Sequence, residues 1–182
     1  MMRVIGVDPG TRVCGFGIVE SINGSLRHVN SGAIIPSPTY PITLKLKTIH
    51  EGLVRVIQEF APDAMSIEGL FFAKNAKSAI KLGEARGVAY LAAAFSGLPV
   101  YEYAPTEVKL AITGRGRAKK IEVQKMISTI FGINSWEGTD VSDAIAIALC
   151  HINLFEKKER LGIEVLRTRK RRKRFSINDL PS

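Results

Sequence analysis

Three strand-like segments precede the first helix-like segment, and this order constrains the fold more than any other feature of the chain. Met2–Val7, Val13–Glu20 and Ser25–Ile35 are short and rich in β-branched or aromatic residues. Turn residues separate them, beginning with Asp8-Pro9-Gly10. Because the connections are short, we expect the three strands to pair antiparallel.

Helices and strands alternate after this point. Apolar residues at helical spacing predict a first helix over Ile42–Phe60. The later predicted elements are the strand Ala64–Ile67, the helix Asn75–Phe95, the strand Pro99–Tyr103, and the helices Pro105–Ile112, Lys119–Phe131 and Thr139–Phe155. Strands that helices separate should be parallel, with right-handed crossovers. The sequence therefore predicts an α/β fold, with a mixed five-stranded sheet and helices on both faces.

Composition excludes several classes of protein. With 182 residues, 46% of them hydrophobic, the chain can bury the core of one compact domain. It has no apolar run of about 18 residues, so we expect no membrane span. The apolar start is too short, and too soon broken by Asp8, for a signal peptide. The two cysteines, Cys14 and Cys150, form no disulfide framework, so we expect a cytoplasmic protein.

The positive charge is concentrated near the C-terminus. The chain carries a net charge of +9, and residues 157–174 alone hold ten basic and two acidic side chains. We therefore expect a folded domain over residues 1–158 and a basic, flexible tail over residues 159–182. Such a tail favours a polyanionic partner, either nucleic acid or an anionic membrane surface. A tail that only keeps the protein soluble is the alternative.

Four acidic residues stand where elements end or begin. Asp8 and Glu68 directly follow predicted strands, and Asp140 and Asp143 lie three residues apart at the start of the last helix. Ligands gather at the carboxyl ends of parallel strands, so these side chains should meet at one edge of the sheet. Carboxylates crowded together repel one another unless a cation neutralises them, and an all-oxygen ligand set favours Mg²⁺ or Mn²⁺. Taken singly, Asp8 could form only an Asx turn and Asp140 only a helix N-cap.

Four segments in order resemble the motifs of the bacterial Holliday junction resolvase family, RuvC. They read GVDPGTRVCGFGIV, SIEGLFFAKNAKSAIKLGEARG, VKLAITGRGRAKKIEVQKMI and DVSDAIAIALCH, and they extend from about Arg3 to His151. The resemblance implies a ribonuclease H-like fold, a homodimer, and a Mg²⁺-dependent endonuclease that resolves four-way DNA junctions by symmetric nicking of two strands. The catalytic and metal-binding acids of the family fall on Asp8, Glu68, Asp140 and Asp143.

The resemblance implies two Mg²⁺ ions per active site, for which Mn²⁺ could substitute. We expect Asp8 to bridge them, although which acid holds which ion stays open at this stage. The resemblance also places Phe71 against bases near the junction centre, and Lys109 and Lys120 near the scissile phosphate. Charge alone adds further DNA-binding candidates, namely Lys74, Lys77, Arg115, Arg117 and Lys119. The implied protein partner is the RuvA–RuvB branch-migration complex.

The long helix and the fold class each allow more than one interpretation. Gly83 and Gly87 could allow close approach of a second subunit, as the resemblance implies, or close packing on the helix's own sheet. Asp8-Pro9-Gly10 also resembles the phosphate loop of actin-like and sugar-kinase ATPases, which need a second such core. The same fold also leaves open a ribonuclease, another structure-specific nuclease and a non-catalytic nucleic-acid-binding module.

Overall fold

The computed structural model describes residues 1–69, 76–133 and 138–161. In order along the chain, its elements are β1 (Met2–Asp8), β2 (Cys14–Ile22), β3 (Ser25–Ile34), α1 (Ile42–Phe60), β4 (Ala64–Glu68), α2 (Ala76–Phe95), β5 (Val100–Tyr103), α3 (Pro105–Thr113), α4 (Lys120–Phe131) and α5 (Thr139–Arg160). Residues 162–182, which make up most of the predicted tail, lie outside the described residues.

The described strands form one mixed sheet in the order β3-β2-β1-β4-β5. β1 pairs antiparallel with β2, and β2 with β3, through short connections. The β2–β3 turn is Asn23-Gly24, where both residues have positive φ, as a tight two-residue hairpin requires. β4 pairs parallel with β1 and with β5, because helices connect these strands. The predicted α/β architecture is confirmed.

Helices cover both faces of the sheet, so the protein has two cores. α1 and α2 cover one face, where Ile5, Leu53 and Ala89 are fully buried. α3, α4 and α5 cover the other, where Val4 and Ile145 are fully buried. Among the described residues, none of the helices combines the length and the apolar character needed to span a lipid bilayer.

Three glycines bring α5 into direct backbone contact with β1 and β2. A Cβ atom built on Gly6 would collide with the backbone of Ala144, and one built on Gly15 would collide with the carbonyl of Asp140. At Gly17 it would lie 2.5 Å from Cγ1 of Ile145. At Gly6 and Gly15 no side chain therefore separates α5 from the sheet, and the helix lies closer than side chains would permit. The start of α5 is thereby held over the carboxyl end of β1.

We predict that Gly15→Ala destabilises the protein by about 1–3 kcal/mol, because the added methyl group meets backbone that cannot rotate away. Chemical denaturation measures this loss. Gly32→Ala is the matched control in the same sheet, since its Cβ would meet the Phe16 ring, at 3.0 Å. A side chain can yield, so the control should lose less stability. Equal losses for the two variants would contradict the importance of the α5 contact.

Candidate active site

Asp8 and Glu68 end two neighbouring parallel strands. Val7 of β1 pairs with Ile67 of β4, and each is followed directly by its acid. Side chains alternate along a strand, so Asp8 points to the same face as Gly6, which is the face covered by α5. The expectation that both acids meet at one sheet edge therefore agrees with the strand register.

α5 brings the second pair of acids to this edge. Gly15 pairs with Asp8 across β1 and β2, and a Cβ on Gly15 would lie 3.1 Å from Cβ of Asp140. Asp140 thus lies beside Asp8 at the end of the sheet. It belongs to the first turn of α5, which begins at Thr139, so it is not the N-cap residue of that helix. Asp143 follows one turn later on the same side.

Burial and mutual repulsion raise the proton affinity of the two strand-end acids. Burial, and then the charges of Asp143, Asp140 and Glu68, raise the pKa of Asp8 to about 7. Burial, and then the charge of Asp143, also raise the pKa of Glu68. All four acids therefore share one electrostatic neighbourhood, and concentrating them there carries an energetic cost.

Another buried acid shows that this cost is not a general feature of the sheet. Glu20 on β2 is 1% exposed, and it accepts a hydrogen bond of 2.7 Å from Nε of Arg3. Arg27 adds a second ion pair to it at 3.3 Å. Glu20 is therefore compensated by bases of its own chain, whereas Asp8 faces mainly other acids. That difference distinguishes a structural carboxylate from a candidate metal ligand.

Lys120, which the resemblance places near the scissile phosphate, contacts the acid cluster. Its ammonium group forms an ion pair with Oδ2 of Asp143. Burial lowers the pKa of Lys120, but the hydrogen bond to Asp143 and the charges of the acids outweigh burial and leave that pKa raised. Lys109 on α3 also acts on the site, since its charge favours the ionised form of Glu68.

The other predicted DNA-binding residues fall into two groups. Arg115 pairs with Glu122 at 2.6 Å, while Arg117 and Lys119 lie close to it along the chain. These three lie around the start of α4, beside Lys120, and their DNA-binding role stays a prediction. Phe71 and Lys74 lie outside the described residues, as does the side chain of Lys77.

The sequence interpretation missed two features that shape this site. One is the glycine contact under α5, which leaves no signal until the partner helix is known. The other is Arg86 of α2, which is 5% exposed and donates a hydrogen bond to the main-chain carbonyl of Glu68. A signal for it did exist, because helical spacing places Arg86 on the same stripe as the buried Ala89 and Ala93.

The acids are the ligand type that a hard divalent cation prefers, although the described side chains are not already arranged around a cation position. Within residues 1–69, 76–133 and 138–161, no group of three or more His, Cys, Asp or Glu side chains is arranged to hold a metal ion. The ammonium of Lys120 takes one oxygen of Asp143 instead. The donors are all carboxylate oxygens, which hard cations prefer. The raised pKa of Asp8 reflects repulsion between these acids, which a bound cation would relieve.

We predict that Asp8→Asn stabilises the metal-free protein at pH 8 but not at pH 4. The folded pKa of about 7 exceeds the ordinary 3.8, so the folded state holds its proton more tightly than the unfolded state. Wild-type stability should then fall as pH rises from about 4 to 7, by a few kcal/mol, and stay low above pH 7. Asparagine removes this penalty. Thermal unfolding in a chelator at several pH values measures the difference.

Asp63→Asn provides the control with the opposite sign. Asp63 accepts a hydrogen bond of 2.9 Å from the backbone NH of Arg3, and an amide oxygen accepts such a bond more weakly than a carboxylate oxygen, so the substitution weakens a contact of the fold. That variant should lose stability at pH 8. A comparable loss for Asp8→Asn would contradict the repulsion that we assign to the acid cluster.

Comparison with known proteins agrees with this geometry. Residues 4–151 match the family model described as crossover junction endodeoxyribonuclease RuvC. The curated RuvC of Geobacter sulfurreducens is 48% identical over 152 residues, covering 84% of this chain and 93% of the relative. The RuvC of Syntrophotalea carbinolica is 47% identical over 160 residues, covering 88% of this chain and 99% of the relative.

Solved structures show the same relationship. The structure of Thermus thermophilus RuvC in complex with a Holliday junction substrate superposes with a TM-score of 0.81 at 34% identity, covering 90% of this chain and 98% of that one. The yeast mitochondrial resolvase Ydc2 shares the fold alone, with a TM-score of 0.64 at 9% identity, covering 87% of this chain and 82% of that one. The chain, matched over most of its length, belongs to the RuvC family of crossover junction endodeoxyribonucleases.

Proposed function

We propose that this protein is a divalent-metal-dependent endonuclease that nicks two opposing strands of a four-way DNA junction. The observation that carries the proposal is the gathering of four carboxylates and one lysine at the carboxyl end of β1, in a chain of the RuvC family. The junction substrate named for the Thermus thermophilus relative supports the choice of DNA. The ATPase interpretation finds no support in the family match, which covers residues 4–151.

Asp8, Glu68, Asp140 and Asp143 would hold the metal, which we propose to be two Mg²⁺ ions with Mn²⁺ able to substitute. Bound there, such ions would supply a water-derived nucleophile and would stabilise the leaving oxygen of a phosphodiester. Asp8 lies between Glu68 at the end of β4 and Asp140 on α5, and from this position it would contribute to holding both ions. The protein's part is to hold these carboxylates together and correctly oriented, while bound cations would favour their ionised forms.

Lys120 has a second role in this scheme. Its ammonium group already contacts the acid cluster, and a flexible lysine can move from Asp143 to a phosphate oxygen of a bound strand. Lys109 approaches Glu68 from α3. Arg115, Arg117 and Lys119 would extend the positive surface and position the DNA backbone without reading its sequence. Phe71, Lys74 and Lys77 remain predicted DNA contacts on the basis of the sequence.

A homodimer through α2 is supported by the surface of that helix. Ile80, Gly83, Gly87 and Leu91 follow the spacing of one helical stripe. Ile80 is 63% exposed and Leu91 48% exposed, and a Cβ on either glycine would meet no described atom within 4 Å. The two glycines therefore do not serve packing on the helix's own sheet. An open, flat apolar stripe suits close approach of a second copy, which would place two active sites on one junction.

Two further assignments follow from the family and the chemistry. We propose that the protein acts with the RuvA–RuvB branch-migration complex, as the family resemblance implies. Cys14 and Cys150 are both buried and free, which supports a reducing, cytoplasmic setting.

The test of the function is a substrate panel with the purified full-length chain and Mg²⁺. We expect paired nicks on opposing strands of a four-way junction, and little cleavage of duplex, single-stranded DNA or RNA–DNA hybrid. Gel mapping of the products locates the nicks. Asp8→Asn should bind the junction but fail to nick it, which excludes a contaminating nuclease. Preferred cleavage of the hybrid would instead favour a ribonuclease.

The dimer has its own test. We predict that Leu91→Glu yields a folded monomer, because a charge at this end of the stripe would be buried unpaired on association. Light scattering coupled to size exclusion measures the mass. Leu110→Glu on α3 is the matched control, since Leu110 is 56% exposed on another helix. If the wild type is a monomer, or if both variants change the mass equally, α2 is not the dimer contact.

A further inference from the structure

Arg86 is a buried arginine that is neither a proposed metal ligand nor a proposed DNA contact. It lies in the middle of α2 and is 5% exposed, yet its guanidinium group has three acceptors. Nη1 donates to the main-chain carbonyl of Glu68. Nη2 donates to Oη of Tyr90 at 2.9 Å and to Oε2 of Glu102 at 3.0 Å. A planar fork with fixed donor directions suits this task, because one arm can hold β4 while the other is anchored elsewhere.

The anchor of this fork is formed by the next strand and by α2 itself. Glu102 belongs to β5 and pairs in register with Ile67, the residue before Glu68. The hydroxyl of Tyr90 also donates to Glu102, so the two acceptors of Nη2 are tied to each other. The guanidinium carbon lies 5.5 Å from the centre of the Tyr90 ring. Arg86 is thus held in one orientation by both α2 and β5.

The bond to Glu68 is made where β4 ends. After Glu68, the NH of Gly69 donates to the carbonyl of Tyr103 at 2.8 Å, which continues the pairing with β5 by one residue. The carbonyl of Glu68 receives Arg86 from the α2 side, while α5 covers the opposite face, where the acids gather. Arg86 therefore acts on the main chain of Glu68 from behind the active site.

We propose that Arg86 is a positioning residue for Glu68, which fixes the main chain at the end of β4 so that the Glu68 carboxylate is aimed at the other acids and at the divalent cation. This inference rests on the proposed function. Partners that orient a metal ligand typically alter metal affinity or activity by about 10–100-fold when they are removed. The effect should therefore appear in turnover and in cation affinity, and not in the binding of DNA.

Stability alone does not account for an arginine at this position. A buried guanidinium loses its hydration, and its carboxylate partner Glu102 has a side chain that is 53% exposed, so the ion pair recovers only part of that cost. The neighbouring stripe positions Ala89 and Ala93 are fully buried and apolar. An apolar side chain of similar length could fill the space, but it could not hold the carbonyl of Glu68.

The experiment compares Arg86→Met and Arg86→Lys with the wild type. Arg86→Met keeps much of the volume and removes every hydrogen bond, and we expect kcat for junction nicking to fall by about 10-fold or more. The Kd for the junction in a chelator should be nearly unchanged. Arg86→Lys keeps the charge but not the fork, and its kcat should be intermediate. Arg55→Gln, an exposed arginine on α1, is the control and should match the wild type.

A second measurement does not depend on activity. Mg²⁺ that binds only the folded state raises Tm, so the rise on adding Mg²⁺ reports cation affinity without DNA. A positioning role predicts that this rise shrinks in Arg86→Met. A merely structural role lowers Tm equally with and without Mg²⁺, and that result would overturn the inference. If Arg86→Met does not fold, Arg86→Lys decides. The inference would be overturned if Arg86→Lys had the same kcat as the wild type and the same rise in Tm on adding Mg²⁺.

The inference and the proposed function fail in different ways. If the wild type nicks junctions and Arg86→Met does so at the same rate, the positioning role is wrong and the function stands. If the wild type nicks no junction, the proposed function is wrong, whereas a smaller Mg²⁺-induced rise in Arg86→Met would still support the role of Arg86 at a cation site.

Discussion

The direct contact between α5 and the glycines of β1 and β2 is the constraint on which the rest of the structure depends. A helix that packs on a sheet through side chains lies about 10 Å from it, which would separate acids carried by the two elements. Gly6, Gly15 and Gly17 remove that layer where α5 crosses. Asp140 can therefore lie beside Asp8, although the two residues stand near opposite ends of the folded domain in sequence.

The same contact concentrates negative charge where the fold is least able to compensate it. Asp8 is half-buried among acids, whereas Glu20, farther along the same sheet, is held by Arg3 and Arg27. Lys120 offsets only part of the repulsion, through Asp143. A protein selected for stability alone would not keep such a cluster, and local instability of this kind is typical of sites built to bind a ligand or cation.

The elements could be predicted from the sequence, and the four acids could be named as candidates, because both depend on local patterns. Strands such as Met2–Val7 are apolar up to the acid, and the strand and helix order fixes which strand ends become neighbours. The contacts that refine the site depend on residues far apart in sequence. Gly6 and Gly15 give no sign in the sequence of their partners on α5, which are Ala144 and Asp140.

The long helix α2 is a second example of what the sequence alone does not establish. In sequence, Gly83 and Gly87 could serve either contact with a second subunit or packing on the helix's own sheet. No described atom lies within 4 Å of their Cβ positions, so they do not serve packing on that sheet. Arg86 stands between these glycines and looks like one more surface base of a helix that also carries lysines. Its helical spacing from Ala89 and Ala93 is a sign of burial, but its contacts with β4 and β5 become visible only when α2 is placed against those strands.

α2 thereby carries the residues of both proposals, the dimer contact and the positioning of Glu68, on different flanks of one helix. Arg86 connects one flank of this helix to the main chain of Glu68, while Gly83, Gly87 and Leu91 leave another flank open. A helix transmits displacement because its backbone hydrogen bonds keep it stiff along its length. A partner that seats α2 more firmly would therefore also hold the end of β4 more firmly. Assembly through α2 and orientation of the Glu68 carboxylate would then be coupled.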